Sequence, residues 1–524
     1  MLNCSVILEG TAHSYPDEIA IVDADRRVTY GELDRGASRL ASGLRQAGIG
    51  HGDMVLLACP NRLEFPIAYF GILKTGATVV PVSVLSKQRE LVFLLEDTSA
   101  KACICFEGTD ELPLGQEAWQ AFQEVPGCRH FWTITEDRSS ASPFAGAETL
   151  EELINGSDTL EGQEVACDTD PADTAVILYT SGTTGKPKGA ELTHQNIFTT
   201  AVTSGRLAQC CREDILLVVL PLFHCYAQTV QMNAGFLVGS QLVLLRRFDP
   251  DVVLKTMEEE CVTLFCGVPT MYWSLLHHSK VDQYDLEKIS RNLRLGCSGG
   301  APIPVEVLKG VEEKYNFPVL EGYGLSETSA MATFNQIHRP RKVGSVGLPV
   351  WGMTVRLVDE EMNDVSTGER GEVVIRGHAV MKGYFNRPEA TAETFRGGWF
   401  HTGDVGTMDE DGYIYIVDRT NDMILRGGFN VYPREVEEVM ISHPDITLAA
   451  VIGVSHEKYG QEVMGFVILR EGASIGPDEI SGWCKKQMAA YKYPRIVNIV
   501  DSLPLGSTGK VLKKELRKMT DTDE

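Results

Sequence analysis

Nothing limits what this 524-residue chain can fold into as sharply as one loop. Thr174-Ala-Val-Ile-Leu-Tyr-Thr180 is a short apolar run bounded by a polar turn, which predicts a buried strand. It breaks into Ser181-Gly-Thr-Thr-Gly-Lys-Pro-Lys-Gly189, and Thr193 can then cap a helix that begins near Gln195. Glycine lets a backbone approach a ligand closely and take positive φ. Hydroxyls and backbone N–H groups donate to phosphate oxygens, and lysines neutralise their charge. A strand ending in three glycines, three hydroxyls and two lysines therefore reads as a phosphate cradle or as a flexible surface turn. It is not a Walker loop, because only two residues separate Gly182 from Gly185 where that pattern needs four before its Gly-Lys.

The flanking chain has an α/β rhythm. Leu33, Ala37, Leu40 and Leu44 recur at the spacing of one helix face. Residues 54–59, 78–82 and 101–105 read as strands and 64–75 as a helix, an alternation that argues for largely parallel sheet covered by helices. Residues 135–173, rich in Ser, Asp, Glu and Gly, read as a surface connection. Short strands at 354–358, 371–376 and 398–404 with Gly/Asp turns suggest a β-rich subdomain. Pro433, followed by Glu435, Glu437 and Glu438, opens a helix with Val436, Val439 and Met440 on its apolar face. The expected fold class is α/β: a large N-terminal domain of α/β subdomains plus a β-rich subdomain over 1–418. A hinge at 419–421 and a small mobile C-terminal α+β domain at 422–524 complete it.

Charge and cysteine content exclude several classes. Net charge is 48 − 72 = −24, which disfavours nonspecific binding to nucleic acid or an acidic membrane surface. Thirteen cysteines with no C-x-x-C pair read as buried small hydrophobes in a reducing cytosol rather than a zinc site or disulfide framework. Met1-Leu-Asn-Cys-Ser-Val lacks the pattern of a signal peptide, and the longest apolar runs, such as 215–223, are too short to cross a bilayer. A cytoplasmic location is expected, and the oligomeric state is open, a homodimer among the options.

Several later motifs carry chemistry. His224 follows the strand at 215–220. Arg294-Leu-Gly-Cys-Ser-Gly-Gly-Ala-Pro302 is strand, glycine turn and helix opened by proline, and Gly299 and Gly300 would let a flat base lie on backbone unless they only close a tight turn. Glu321-Gly-Tyr-Gly-Leu-Ser-Glu-Thr328 lacks the third glycine of a Rossmann fingerprint. It offers a ring for adenine, a hydroxyl for phosphate and a carboxylate, Glu327, which beside a triphosphate makes sense only with Mg²⁺. Asp404, in His401-Thr-Gly-Asp404, is placed either to hold two ribose hydroxyls or to form a turn. Leu503-Pro-Leu-Gly-Ser-Thr-Gly-Lys510 is again not a Walker loop.

In order, Ser181–Gly189, the His224 segment, the Gly-Tyr-Gly-Leu-Ser-Glu-Thr segment, His-Thr-Gly-Asp, Asp418-Arg419, Gly427-Gly-Phe-Asn430 and Gly509-Lys510 resemble the acyl-adenylate-forming (AMP-binding) superfamily over almost the whole chain. Residues 426–438 and Val380-Met-Lys-Gly-Tyr-Phe-Asn-Arg-Pro388 resemble its fatty-acyl-CoA synthetase branch. The resemblance implies that a carboxylic acid attacks ATP, with Mg²⁺, to give an acyl-adenylate, and that CoA then takes the acyl group from a medium- or long-chain fatty acid or an aryl acid. It makes Lys510, His224, Glu327 and Thr183 catalytic, with Glu327 holding the metal. Thr180, Ser181, Gly182, Thr184, Gly185, Lys188, Gly300, Ala301, Glu321, Gly322, Tyr323, Gly324, Thr328, Asp404 and Arg419 would hold the nucleotide, and Gly427 and Gly428 would face CoA. The segment His224–Thr229, with Val268 and with Ser298 and Gly299 of the Ser298–Gly300 turn, would line the acid pocket. The hinge position, Asn421, departs from the Asp or Lys usual in the family. That keeps open an ATP-dependent amide synthetase, which would pass the acyl group to an amine. A non-catalytic nucleotide-binding protein is the reading from another class.

Overall fold

At the head of the helix Tyr30–Gln46, Thr29 and Glu32 close a reciprocal capping box, and Leu33, Ala37, Leu40 and Leu44 are all buried. The computed structural model describes residues 2–156, 166–180, 187–419, 422–427 and 429–521, without the side chains of Asp418, Arg419 and Asp521.

Two large sheets organise the first three quarters of the chain. In one, parallel strands lie in the order Ile19–Asp23, Gln241–Leu244, Ile215–Val218, Leu264–Gly267, Leu295–Ser298 and Val319–Tyr323, with antiparallel strands at both edges. In the other, parallel strands run from Glu148–Thr149 through His130–Ile134, Ala102–Phe106, Met54–Ala58 and Thr78–Pro81 to Thr174–Thr180. Lys188–Thr193 and Gly383–Tyr384 then pair antiparallel. Strands covered on both faces read as unbroken apolar runs, and all of Ala102–Phe106 is buried. A third, antiparallel sheet built on Met353–Val358, Gly371–Gly377 and Trp399–Met408 is the expected β-rich part. One core joins these layers, from Cys4 to Ile416.

The small C-terminal unit has its own packing. Ile446–His456 pairs antiparallel with Gly460–Leu469, and the period of two sends alternate residues to opposite faces. Val451, Val463 and Val467 pack on Val436 and Met440 of the helix Pro433–Ile441 and on Ile480 and Cys484 of Pro477–Gln487. Ile452, Met464 and Phe466 pack instead with Leu516 of the helix Lys513–Asp521.

Local expectations needed three corrections. The phosphate loop joins two antiparallel strands rather than leading straight to a helix; the helix His194–Leu207 follows the second strand, capped by Thr193. Residues 135–173 contain a capped helix, Leu150–Asn155, where only a connection was expected. The helix expected at Pro302 opens at Val305, behind Pro304. Nine of the thirteen cysteines are buried, and all are free thiols. Among the described residues no helix is long and apolar enough to cross a membrane.

Candidate active site

The carboxyl ends of parallel strands are where open α/β sheets place ligands, and the expected residues collect there. Thr180 ends its strand opposite Lys188, and its hydroxyl lies 3.5 Å from Glu327 Oε1. Glu327 sits on the short turn Ser326–Thr328, is 8% exposed, and accepts a 3.0 Å hydrogen bond from the Tyr384 hydroxyl. Its carbonyl accepts from Met381 N at 2.8 Å, which fixes the turn against the segment that carries Tyr384. Lys188 Nζ lies 5.3 Å above the Tyr384 ring. One buried carboxylate framed by hydroxyls fits Mg²⁺, which takes few protein ligands and keeps waters and phosphate oxygens for the rest. Thr328, beside it, spends its hydroxyl on its own turn, on Leu325. Ser181, Gly182, Thr183, Thr184 and Gly185 lie outside the described residues.

His224 is positioned from the other sheet. Asn61, just past the strand Met54–Ala58, donates to the carbonyls of Leu220 and Leu245 and accepts from Leu222 N at 2.9 Å. This clamps the segment that delivers His224. The imidazole Nδ1 accepts from Tyr226 N at 3.2 Å and lies 3.8 Å from Cys225 Sγ. Desolvation, and then the positive charge of Lys510, lower its pKa to about 3, so the ring is neutral at physiological pH. Cys225 Sγ also reaches Ser326 Oγ at 3.8 Å, linking His224 to the Glu327 turn.

Lys510 comes to this place from the small unit. Thr270 Oγ1 donates to the Gly509 carbonyl at 2.8 Å. Gly300 has φ of +82°, and a Cβ built there would meet Lys510 Cε at 3.0 Å and Val268 Cγ1 at 3.5 Å. The glycine turn that sequence reasoning gave to a nucleotide base is thus also the seat of the lysine. Gly299 is close to the Tyr226 ring. Thr229 and Ser298 are buried, and their hydroxyls have no partner among the described residues. Ala301 follows the turn, partly exposed.

On the nucleotide side the Tyr323 hydroxyl donates to Asp404, so two residues expected on adenine and ribose meet directly. Arg419 pairs with Asp404 through the backbone of adjacent strands. Glu321 is turned inward to accept from Ile303 N at 3.3 Å, and burial raises its pKa to about 7. Gly322 packs against Phe334, and Gly324 against the Ala330 carbonyl. Gly427 lies on the hairpin of Ile424–Arg426 and Phe429–Val431, whose Leu425 and Phe429 are exposed; Gly428 and Asn421 are outside the described residues. Sequence reasoning gave no role to Tyr384 or Thr270, and took Cys225 and Tyr226 only as part of the His224–Thr229 segment expected along the acid pocket. Tyr384 lay in a quoted motif, but its contact with Glu327 joins positions 57 residues apart.

A family model described as "AMP-binding enzyme" matches residues 8–385, and "AMP-binding enzyme C-terminal domain" matches 435–510. The chain is 33% identical over 528 residues to the long-chain-fatty-acid–CoA ligase of Bacillus subtilis, covering 97% of this chain and 93% of that one. It is 34% identical over 508 residues to feruloyl-CoA synthase of an Amycolatopsis species, covering 97% of each. The crystal structure of ATP-bound MatB from Rhodopseudomonas palustris is 30% identical, covers 99% of both chains and superposes with a TM-score of 0.87.

Proposed function

This chain belongs to the AMP-binding enzyme family and is a ligase of the AMP-forming acid–thiol type, and we propose that it joins an apolar carboxylic acid to CoA through an acyl-adenylate held at the Gly299–Gly300 turn. The observation that carries this reading is the seat of Lys510. A lysine borne by a separate small unit rests on Gly300 and Val268 and lowers the pKa of His224. Mere nucleotide binding gives no reason for a second unit to deliver a cation to the wall of an acid pocket.

In the first half-reaction a carboxylate oxygen attacks the α-phosphorus of ATP, the bond to the β-phosphate breaks, and pyrophosphate leaves. Negative charge builds at the transferred phosphate, where a preplaced ammonium stabilises it. Lys510 has that role, Lys188 and Thr180 face the phosphates, and Glu327 would hold Mg²⁺, which when bound neutralises phosphate charge. Neutral His224 can orient the acid by hydrogen bonding without forming a rigid ion pair with it. Tyr323 and Asp404 hold the nucleoside. In the second half-reaction the CoA thiol attacks the acyl carbonyl, its proton is lost, and AMP leaves. Rotation of the small domain, 422–524, about 419–421 would withdraw Lys510 and bring the Gly427 hairpin to the site.

The test is AMP and pyrophosphate release across a carboxylic-acid panel, with and without CoA, the products identified by mass. A thioester whose formation depends on CoA is the expected result. An amide formed with added amines, or no nucleotide turnover on any acid, would overturn it.

A further inference from the structure

Asp97 sits in the last turn of the helix Gln88–Thr98, a turn with no basic residue, where a carboxylate faces the negative end of the helix dipole. Its side chain is only 10% exposed, and its partners come from far along the chain. Oδ2 accepts a 2.7 Å hydrogen bond from the Tyr179 hydroxyl, and Oδ1 pairs with the Arg387 guanidinium. Each partner adjoins a residue of the candidate metal site. Tyr179 directly precedes Thr180 and packs edge-on against Phe93 of the same helix at 6.2 Å. It lies so close to Gly189 that a Cβ there would meet the ring at 3.1 Å. Arg387 closes a turn on Tyr384, its N–H donating to the Tyr384 carbonyl at 3.0 Å. Thr391 Oγ1 secures that turn, accepting from Tyr384 N at 2.9 Å and donating to the Arg387 carbonyl at 2.8 Å. Phe385 N, between them, donates to the Gly189 carbonyl at 2.7 Å. One carboxylate thus ties the strand that ends at Thr180 to the turn from which Tyr384 reaches Glu327.

We propose that Asp97 is a positioning residue for the metal end of the site: holding Tyr179 and Arg387 at once, it fixes the Tyr384 turn against the strand that carries Thr180, so that the Tyr384 hydroxyl stays on the Glu327 carboxylate that would hold Mg²⁺. This rests on the reading of Glu327 as the metal ligand given above. Hydrogen bonds from outer partners orient a ligating carboxylate and tune its affinity for a metal. They weaken steeply as distance and alignment are lost, so a small shift of the Tyr384 turn is enough to loosen the 3.0 Å bond to Glu327. Neutralising Asp97 leaves Arg387, which cannot lose its proton, without its counter-charge, and the turn loses its tie to the helix. An ion pair that served the fold alone would act on every ligand of the pocket alike, whereas a positioning role acts on the metal-dependent one.

The experiment is calorimetric titration of the full-length protein with α,β-methylene-ATP, in Mg²⁺ and in excess EDTA, and with AMP, which lacks the phosphates that a metal would bridge. Wild type should bind the ATP analogue more tightly in Mg²⁺ than in EDTA. Asp97→Asn and Arg387→Met should each weaken binding in Mg²⁺ by about two- to tenfold, while binding in EDTA and binding of AMP stay within about twofold. Pairing with Tyr384→Phe tests the route. If Asp97 acts through Tyr384, the double variant Asp97→Asn/Tyr384→Phe binds within about twofold of the weaker single variant, instead of losing the product of both effects. Should Asp97→Asn fail to fold, Arg387→Met, whose side chain is 35% exposed, carries the same test. Equal losses for AMP and the ATP analogue, multiplied losses in the double variant, or unchanged binding in Mg²⁺ for both Asp97→Asn and Arg387→Met overturns the positioning role alone. A wild type that binds the analogue no more tightly in Mg²⁺ than in EDTA, or not at all, overturns the Glu327 metal reading and the role of Asp97 together.

Discussion

Replacing Lys510 by alanine should separate the two half-reactions. The ammonium lies 3.6 Å from the point where a side chain on Gly300 would begin. A charged group reacting on that turn then meets it at about 4 Å, where unit charges interact by about 4 kcal/mol at an effective dielectric of 20. That corresponds to about a thousandfold in rate, and water entering the vacated space reduces it, so adenylation should fall between about 100- and 1,000-fold. The assay is single-turnover pyrophosphate release without CoA, beside thioester formation from a presynthesised acyl-adenylate. The second step should stay within about threefold, since the proposed rotation takes Lys510 out of the pocket by then. Thr270→Val, which removes only the hydrogen bond to the Gly509 carbonyl, should cost about two- to tenfold in adenylation and nothing in thioester formation. Equal losses in both half-reactions would show that Lys510 supports the fold or the pocket in general. An adenylation rate within about threefold of wild type would refute the electrostatic argument itself.

Glu327→Gln should raise the Mg²⁺ concentration needed for half-maximal adenylation by about tenfold or more, and Tyr384→Phe, which deprives that carboxylate of a 3.0 Å donor, by about two- to tenfold; an unchanged Mg²⁺ titration in both would remove Glu327 from the metal. Glu321 gives a pH signature. Its carboxyl titrates at 4.5 in the ordinary state and at about 7 when buried, so between those values the folded protein keeps a proton that the unfolded chain has lost. The stability it supplies is complete below pH 4.5 and is lost as pH rises through 7, a change of about 3 kcal/mol. Glu321→Gln, which mimics the protonated form, should raise the Tm relative to wild type at pH 8 and not at pH 4.5, and an equal shift at both would contradict the buried, protonated assignment.

What the sequence disclosed depended on how local the signal was. The helix at Tyr30 and the strands at 54–58 and 102–106 are written in periodicity and in a capping pair three residues apart, so they could be read directly. The glycine and hydroxyl chemistry of the loop at 181–189 is local, so it could be read as a candidate phosphate cradle, and its residues 181–186 lie outside the described residues; the return of the chain as the strand Lys188–Thr193 rests on pairing with Thr174–Thr180 and with the distant Gly383–Tyr384, which no local signal carries. Tyr384 and Thr270 stayed hidden for the same reason. A tyrosine near residue 384 gains meaning only when a carboxylate from 327 arrives beside it, and Thr270 only when a carbonyl arrives from 509. Tyr226 was obscured differently. The π-helical turn that aims its ring at Gly299 has no periodic signature distinct from an ordinary helix.

The seam between the large and small units bears on how one pocket could serve two reactions. Beside the small apolar contact of Val268 with Gly509 and Lys510, its named contacts are polar or charged: Thr270 to the Gly509 carbonyl, Arg434 to the Ile416 carbonyl, Arg370 over the Tyr432 ring at 4.2 Å, and Arg370 with Glu435 at 3.6 Å. The apolar cores on either side share no residue, one ending at Ile416 and the next beginning at Ile424. Parting a merged core would expose apolar surface at about 25 cal/mol per Å² and would hold the units in one arrangement. Hydrogen bonds and exposed ion pairs exchange with water at a net cost of about 1 kcal/mol each. A seam of this composition suits the proposed rotation about 419–421, which requires that Lys510 be docked firmly enough to place its charge and weakly enough to be released. Adding apolar contact there, for example by Arg370→Leu against Tyr432, should favour the docked arrangement, so that adenylation is kept while thioester formation slows.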